Sequence, residues 1–361
     1  MCANEVTSIT AKAVLAPIKT PPVTASGNIK DSALVLIDVH SQVGITGHSY
    51  IFTFSESMLK PTVDCVAAIK ELALGLEADP FSFDDTLRAK LRLYDTHGIL
   101  GQVLSGLDMA IWDIHAQSKG EPLAKVLGGT LNPVPAYNSC GLWIKSIREL
   151  LSEVPLLLED PHFLATKIRL GRSNPTDDLA AVRALRKELP DEVSLMSDFN
   201  QSATDRCIER CKMLDGEGLY WIEEPVLFDD FQSCASLRRE LQTPIQLGEN
   251  LRSKFEMNSA LDADAGDFYM LDVQRIGGVT GWLASSHLAS LREVPLSSHL
   301  FPEMSVHLLA ASPTRHWLEY VDWANPILQE PLAIIDGHAV VPDRPGNGIR
   351  WDARAVALYE Q

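Results

Sequence analysis

The chain has 361 residues, of which 46% are hydrophobic and 22% are charged. This balance is ordinary for a globular protein and excludes disorder as the dominant state, because such a chain can bury enough apolar surface to offset the entropy of ordering. Lysine and arginine number 31 against 48 aspartates and glutamates, a net charge of −17. That sign argues against nucleic acid or an anionic membrane as a partner and favours a small molecule or a cation.

Hydropathy, the N-terminal residues and the cysteines together predict a cytoplasmic protein. The chain has no run of about 18 apolar residues, as a membrane span would need, and residues Met1–Glu5 lead into no basic region followed by an apolar core. The six cysteines, of which Cys2 is the first, include no C-x-x-C pair. Dilute cysteines of this kind are typical of a reduced compartment.

The first part of the chain combines strands with helices. Val14–Ile18 and Ala33–Asp38 are short β-rich runs. Thr20–Asp31 between them is rich in proline, glycine and small polar residues, so it is predicted to form a long loop, and long loops are often functional. Residues 55–119 carry apolar side chains at helical spacing, and Gly120 is a suitable stop for the last helix.

From about residue 133 onward, short apolar runs alternate with amphipathic segments such as Asp177–Lys187, Thr204–Leu214 and Phe255–Leu261. Repeated strand–helix units imply a parallel sheet, and eight of them suggest a closed barrel. A doubly wound open sheet is the alternative, but we find no glycine-rich phosphate turn after the first strand. The eight predicted strands are Val134–Ser139, Ala165–Leu170, Ser194–Asn200, Tyr220–Pro225, Ile245–Asn250, Phe268–Val273, Leu296–Phe301 and Trp317–Val321.

Six of these strands carry an ionisable residue at or near their carboxyl end, although a buried parallel strand is otherwise nearly all apolar. Successive members are about 20 to 27 residues apart, one strand–helix unit each. In a barrel they would surround a single mouth. One such residue alone is most often a helix cap or an exposed acid, but six in register indicate a site. The six are Asp198, Glu223, Glu249, Asp272, His299 and Glu319.

Three of the carboxylates predict a metal site. Asp198, Glu223 and Glu249 follow consecutive strands and offer only oxygen ligands. Clustered carboxylates repel one another unless a cation neutralises them. Hard oxygen ligands suit Mg²⁺, which keeps coordination positions open for substrate oxygens, whereas zinc would favour cysteine or histidine. We therefore predict Mg²⁺ as the cofactor.

Short strings in a fixed order along nearly the whole chain carry a family resemblance. They are Thr166–Arg169, Asp198–Ser202, Trp221–Pro225, Gly248–Asn250, Ile276–Trp282 and Ser297–Phe301, with Gly47–Tyr50 before them and Pro342–Gly346 after them. Together they closely resemble the mandelate racemase/muconate lactonizing enzyme family of the enolase superfamily. The resemblance implies an α/β fold: a modified (β/α)8 TIM barrel over residues 131–325, an α+β N-terminal capping domain over residues 1–130, and a C-terminal segment, residues 326–361, that returns to the capping domain.

The resemblance also implies a chemistry, the removal of the proton α to a carboxylate through an enediolate. His299 matches the general base and Asp272 its orienting partner; a lone histidine is more often a core residue, but Asp272 one strand earlier favours the base. Lys167 matches a lysine that neutralises the substrate carboxylate. Glu319 matches an acid that donates to it, so we expect its pKa to be raised. Substrate-binding positions implied in the same way are Ser139, Asn200, Tyr50, Pro22, Ile29 and Leu300.

Arg169 departs from the family pattern. It stands where the family carries the second lysine of a Lys-x-Lys motif, the base on the second face of the α-carbon. A guanidinium, with a pKa above about 12, is a poor proton acceptor. One-sided chemistry from His299 suits dehydration, and Arg169 as a second carboxylate clamp is the alternative.

Three functions therefore remain open. The leading hypothesis is a Mg²⁺-dependent racemase or epimerase of a 2-hydroxycarboxylate, because Pro22, Ile29 and Leu300 suit an apolar or aryl side chain. The first alternative is an acid-sugar dehydratase with His299 as its sole base. The second is a non-catalytic barrel that binds a carboxylate or a cation. For the two enzymes the expected partner is a small-molecule carboxylate substrate, and for the barrel it is a carboxylate or a cation. The family resemblance suggests a homo-oligomer, up to an octamer.

Overall fold

The computed structural model describes residues 4–158, 163–203 and 206–361. Cys2 and the first two residues of the predicted helix Thr204–Leu214 lie outside these ranges. The five cysteines within them are free thiols. In this described part of the chain, no helix is both long enough and apolar enough to cross a bilayer.

The N-terminal part contains a three-stranded antiparallel sheet in the order β1–β4–β5, formed by β1 (Val6–Pro17), β4 (Asp31–Ser41) and β5 (Thr46–Phe52). β1 and β4 extend beyond the predicted runs, because they stay paired along almost their whole length. The predicted loop between them contains a small hairpin of β2 (Val23–Thr24) and β3 (Gly27–Asn28).

Four helices follow the sheet: α1 (Leu59–Ala73), α2 (Pro80–Lys90), α3 (Gly98–Lys119) and the short α4 (Leu123–Val126). The predicted stop is confirmed, because Gly120 caps α3 in the left-handed conformation, with φ of 69°.

Within the described residues, eight parallel strands form the barrel, which confirms the predicted fold class. Each overlaps one predicted strand. β13 pairs with β6, and β12 meets β13 through backbone hydrogen bonds from His316 to Leu296 (2.8 Å) and from Ser298 to Trp317 (3.0 Å), so the ring closes. The strands are β6 (Val134–Asn138), β7 (Ala165–Arg169), β8 (Ser194–Asp198), β9 (Leu219–Glu223), β10 (Ile245–Leu247), β11 (Phe268–Asp272), β12 (Leu296–His299) and β13 (Leu318–Tyr320). The helices between them are α5 (Ile147–Leu158), α6 (Pro175–Glu188), α7 (Cys207–Leu214), α8 (Phe231–Glu240), α9 (Lys254–Asp262), α10 (Gly278–Leu291) and α11 (Pro302–Ala311).

The C-terminal segment contains β14 (Ile334–Ile335), β15 (His338–Ala339) and α12 (Ala353–Tyr359). β15 pairs with β6 of the barrel in the antiparallel sense, and α12 packs against β1 of the N-terminal sheet. The segment therefore touches both parts of the molecule. The division of the chain into three parts stays a prediction.

β4, the middle strand of the N-terminal sheet, is buried on both faces, which explains its unbroken apolar run. Val35 and Ile37 face the core formed with α1 to α3, whereas Leu34 and Leu36 belong to the core shared with the barrel. Because alternate residues of a strand point to opposite faces, both sets must be apolar here. This packing brings the β2–β3 hairpin and the residues after β5 to the barrel mouth.

Candidate active site

The three predicted metal ligands lie together at the carboxyl ends of β8, β9 and β10. Asp198 and Glu223 end their strands, and Glu249 follows the third by two residues. One carboxylate oxygen of each lies within 4.8 Å of the others, and all three side chains are buried. The donor set is oxygen alone, as the sequence indicated, and this is the set that Mg²⁺ prefers.

Lys167 lies beneath this cluster. Its Nζ is 2.7 Å from Oε1 of Glu223, 2.8 Å from Oε1 of Glu319 and 3.8 Å from Oδ2 of Asp198. Burial lowers the pKa of Lys167, but the neighbouring carboxylates outweigh burial and raise it above its ordinary value. Burial raises the pKa of Glu223, and repulsion from Asp198 adds to the rise, although Lys167 opposes it. The cluster therefore lacks positive charge.

A count of formal charges around the cavity, taken over the described residues, leads to the same conclusion. Six carboxylates meet three permanently cationic side chains, an excess of three negative charges that one divalent cation would largely offset. The carboxylates are Asp198, Glu223, Glu224, Glu249, Asp272 and Glu319, and the cations are Lys167, Arg169 and Arg275. The residues present thus fit a bound Mg²⁺.

His299 ends β12 and pairs with Asp272 at the end of β11. The His299 Nδ1–H donates to Oδ2 of Asp272 at 2.7 Å, and Oδ1 of Asp272 accepts the backbone N–H groups of Gln274 (2.8 Å) and Arg275 (3.0 Å). Nε2 of His299 lies 3.3 Å from Oε2 of Glu249. Burial lowers the pKa of His299, but Glu249 and the bond to Asp272 outweigh it and raise it to about 9. The pair has the geometry of an oriented general base.

The chain turns sharply after His299. Leu300 and Phe301 have φ of 50° and 48°, the left-handed region that bulky residues rarely occupy. The turn is held by the Leu300 N–H, which donates to Oε2 of Glu319 at 3.0 Å, and by Ser305, whose hydroxyl donates to the Leu300 carbonyl at 2.9 Å. Strain of this kind persists only where the surroundings impose it.

Glu319 on β13 departs from expectation. Its Oε1 accepts the hydroxyl of Ser139 at 2.7 Å and pairs with Lys167. Burial raises the pKa of Glu319, but Lys167, His299 and Arg169 together hold it well below its ordinary value. The expectation of a raised pKa is therefore wrong for this state, because the sequence did not show that the lysine and the glutamate would be ion-paired.

Arg169 ends β7 and its guanidinium is fixed from several sides. Nη2 donates to the hydroxyl of Ser139 at 2.9 Å, Nη1 donates to the Lys167 carbonyl at 3.3 Å, and Nε lies 3.3 Å from Oδ2 of Asp198. The guanidinium carbon sits 4.6 Å from the ring centroid of Trp143. Arg169 is thus a buried, positively charged part of the cavity wall.

These groups surround a cavity of about 360 Å³ between the barrel mouth and the β2–β3 hairpin. Of the predicted substrate-binding residues, four line it, namely Pro22, Ile29, Asn200 and Leu300. Ser139 lies behind them, against Glu319 and Arg169. Tyr50 is not brought to the cavity as the structure describes it: its hydroxyl donates to Glu303 at 2.7 Å and its ring stacks on Phe301.

Sequence reasoning missed several lining residues, among them Phe54, Trp143, Asn250, Arg275 and Trp323. Arg275 bonds to Asn250 and lies 3.6 Å from Oε1 of Glu249, so it supports a predicted metal ligand. The only available signal was its position three residues after Asp272. The others stand in loops, where spacing gives no direction for a side chain.

Comparison with known proteins identifies the family. Residues 6–128 match the family described as the N-terminal domain of mandelate racemase/muconate lactonizing enzyme, and residues 149–355 match the family described as enolase C-terminal domain-like. The chain belongs to the mandelate racemase/muconate lactonizing enzyme family of the enolase superfamily. The resemblance noted from the sequence is confirmed.

Three relatives illustrate the range of this family. An enolase from Bradyrhizobium, solved with magnesium and mandelic acid, is 38% identical with a TM-score of 0.94; the alignment covers 100% of this chain and 99% of that one. An enolase from an alphaproteobacterium, solved with bound magnesium, is 37% identical with a TM-score of 0.96, covering 99% and 100%. The L-talarate/galactarate dehydratase of Salmonella typhimurium is 30% identical over 332 residues, 91% of this chain and 82% of the relative.

Other relatives include cycloisomerases and racemases, so the family members similar to this chain are isomerases and hydro-lyases. The chain is an enzyme of this family, and its reaction must be argued from the site.

Proposed function

We propose that this chain is a Mg²⁺-dependent hydro-lyase that removes the α-proton of a 2,3-dihydroxycarboxylate with His299 and releases the 3-hydroxyl as water. One observation supports the choice: Arg169, which stands where the family carries its second base, is a guanidinium in the cavity wall. Among the described residues lining the cavity, the other strongly basic groups are Arg169 and Arg275, and a guanidinium does not give up its proton in a protein. His299 is therefore left as the single base.

Substrate binding follows from the charges of the site. The carboxylate of the substrate lies toward Lys167 and Arg169, whose positive charges offset its own. Glu319 pairs with Lys167 and accepts the Ser139 hydroxyl, so it keeps both groups in place beside that carboxylate. Asp198, Glu223 and Glu249 would hold Mg²⁺. When bound, the cation acts as a Lewis acid that withdraws negative charge from the substrate.

The proton then moves on one face. Mg²⁺ held by Glu249 would offset the negative charge that raises the pKa of His299, so the ring would then be neutral. With Nδ1–H bonded to Asp272, the Nε2 of the neutral ring carries the free lone pair, so it accepts the α-proton as the Cα–H bond breaks. The electron pair forms a carbon–carbon double bond as the bond to the 3-hydroxyl breaks. The imidazolium returns its proton to the departing oxygen, which leaves as water, and the remaining enol becomes a 2-keto acid. His299 ends neutral, ready for another turnover.

Racemisation of a 2-hydroxycarboxylate is the second candidate, and specific observations favour it. Pro22, Ile29, Leu300 and Trp323 give the cavity an apolar wall that suits a substrate without further hydroxyl groups. The Bradyrhizobium relative was solved with mandelic acid, a 2-hydroxy acid without further hydroxyl groups. This reaction would need a proton donor on the second face, where Arg169 is poorly suited.

Product analysis in D₂O separates the two. The enzyme, loaded with Mg²⁺, is incubated with a panel of 2-hydroxy and 2,3-dihydroxy acids, and the products are followed by ¹H NMR and chiral chromatography. We expect a 2-keto acid from at least one dihydroxy acid and no inversion of simple 2-hydroxy acids. Inversion with uptake of deuterium and without a keto product would replace the proposal by racemisation.

A further inference from the structure

Trp143 connects the hairpin over the cavity to Arg169. Its indole ring lies under the guanidinium of Arg169 at 4.6 Å, and its indole N–H donates to the carbonyl of Thr20 at 3.1 Å. The side chain is 1% exposed and lines the cavity. One residue therefore contacts both the segment that enters the hairpin and the charged wall that faces the substrate.

The neighbouring backbone ties the same parts together. The N–H of Ile144 donates to the Val23 carbonyl at 2.8 Å, and the N–H of Arg169 donates to the carbonyl of Leu142 at 2.9 Å. At the other end of the hairpin, the Ser26 hydroxyl donates to the Asn200 carbonyl at 2.6 Å. The segment around Trp143 is thus clamped between the hairpin on one side and β7 on the other.

We propose that Trp143 is a positioning residue that couples closure of the hairpin, residues 20–31, to the orientation of the Arg169 guanidinium. The indole N–H holds the hairpin down, and the indole face holds the guanidinium flat against the cavity wall by a cation–π contact. When the hairpin opens, this support moves with it and Arg169 loses its fixed direction. Arg169 is then presented to the substrate only in the closed state.

Two substitutions separate the two contacts. Trp143→Phe keeps an aromatic face and removes the N–H, whereas Trp143→Leu removes both. Hydrogen–deuterium exchange of peptides covering residues 20–31 reports on the hairpin without any turnover. Trp112→Phe is the control. The indole N–H of Trp112, on α3, donates a comparable hydrogen bond to the Thr280 hydroxyl at 2.9 Å.

We expect exchange in residues 20–31 to quicken by about three- to tenfold in both variants, as loss of one hydrogen bond implies, and to be unchanged in the control. The kinetic readout rests on the proposed function: Trp143→Phe should raise KM with little loss of kcat, and Trp143→Leu should also lower kcat by about fivefold or more. Unchanged exchange in both variants would overturn the coupling, as would equal kinetics of the two variants.

If instead no substrate turns over in any protein, the proposed function fails while the exchange result still decides the coupling. A loss of folding in Trp143→Leu leaves the comparison of Trp143→Phe with Trp112→Phe, in which equal exchange of residues 20–31 counts against the proposal.

Discussion

Nδ1 of His299 lies 2.7 Å from one oxygen of Asp272, whose other oxygen accepts two backbone N–H groups from the segment after β11. The carboxylate is therefore held by the main chain and in turn holds the imidazole. This arrangement fixes which ring nitrogen carries the proton and leaves Nε2 to act on the substrate.

The first prediction concerns that nitrogen. His299→Asn should slow the breaking of the substrate Cα–H bond, and with it formation of the 2-keto acid, by about 10³-fold or more, because general-base catalysis contributes on that scale. Product formation is measured by ¹H NMR on the Mg²⁺-loaded enzyme. His287→Asn, on the exposed surface of α10, should form the product at the wild-type rate. A His299→Asn enzyme that forms the product at the full rate would refute the assigned base.

The second prediction concerns the opposite face. Arg169→Lys places a group there that can lose its proton, so inversion of 2-hydroxy acids should rise about tenfold or more above the wild-type level. Inversion is followed by chiral chromatography. Arg172→Lys is a matched control, because Arg172 pairs with Asp178 outside the cavity lining. A wild-type enzyme that already inverts as fast as Arg169→Lys would show that the arginine does not limit the chemistry to one face.

The third prediction concerns the metal cluster. Mg²⁺ at 100 times its dissociation constant should stabilise the folded chain by about 2.7 kcal/mol, seen as a rise in Tm of a few degrees. In Glu249→Gln the cluster loses one ligand charge, so the rise should shrink or vanish. Glu256→Gln, on α9 beside Arg252, should respond like the wild type. An equal Mg²⁺ response in the two variants would count against Glu249 as a ligand.

The fourth prediction concerns pH and stability. His307 is buried in α11, where Nδ1 accepts the Ala124 N–H at 3.2 Å and Nε2–H donates to the Asn347 carbonyl at 3.0 Å, so the ring is neutral. Burial lowers the pKa of His307 to about 4. As the pH falls below about 6.5, the unfolded chain takes up a proton that the folded chain excludes, so the free energy of unfolding falls.

At pH 5 this loss amounts to about 2 kcal/mol from His307 relative to pH 8. Urea unfolding of His307→Gln should therefore show a smaller loss between pH 8 and pH 5 than the wild type, even if the variant is less stable at both. His287→Gln should follow the wild-type pH dependence. A His307→Gln curve parallel to the wild type would show that this ring does not resist protonation.

Much of the barrel could be predicted, because both the apolar strands and the charged residues that interrupt them can be seen in short stretches of sequence. Each strand is a short apolar run, and Asp198, Glu223 and His299 break the pattern where their strands end. Parallel strands bring their carboxyl ends to one edge of the barrel, so residues that end successive strands are expected to lie close together. The full length of β1 could not be predicted, because only four of its twelve residues are buried and its polar residues are typical of a loop.

The remaining features of the site depend on the directions of individual side chains, which the spacing of residues in the sequence does not reveal. Trp143 and Arg275 stand in loops, and Phe54 is in the left-handed region with φ of 59°, so their side chains reach the cavity through turns that no periodic pattern describes. Tyr50 is on a strand, but its partner Glu303 is 253 residues away in sequence. The low pKa of Glu319 likewise required its distance to Lys167.

The left-handed turn at Leu300 and Phe301 has a consequence for engineering. Glycine at either position would relax the backbone, but it would also remove a buried side chain, and that loss, about 2–5 kcal/mol, exceeds the strain relieved, about 1–3 kcal/mol. The same change would free the main chain that carries the imidazole. Heat resistance and turnover would therefore fall together, and attempts to stabilise the enzyme should leave these two positions alone.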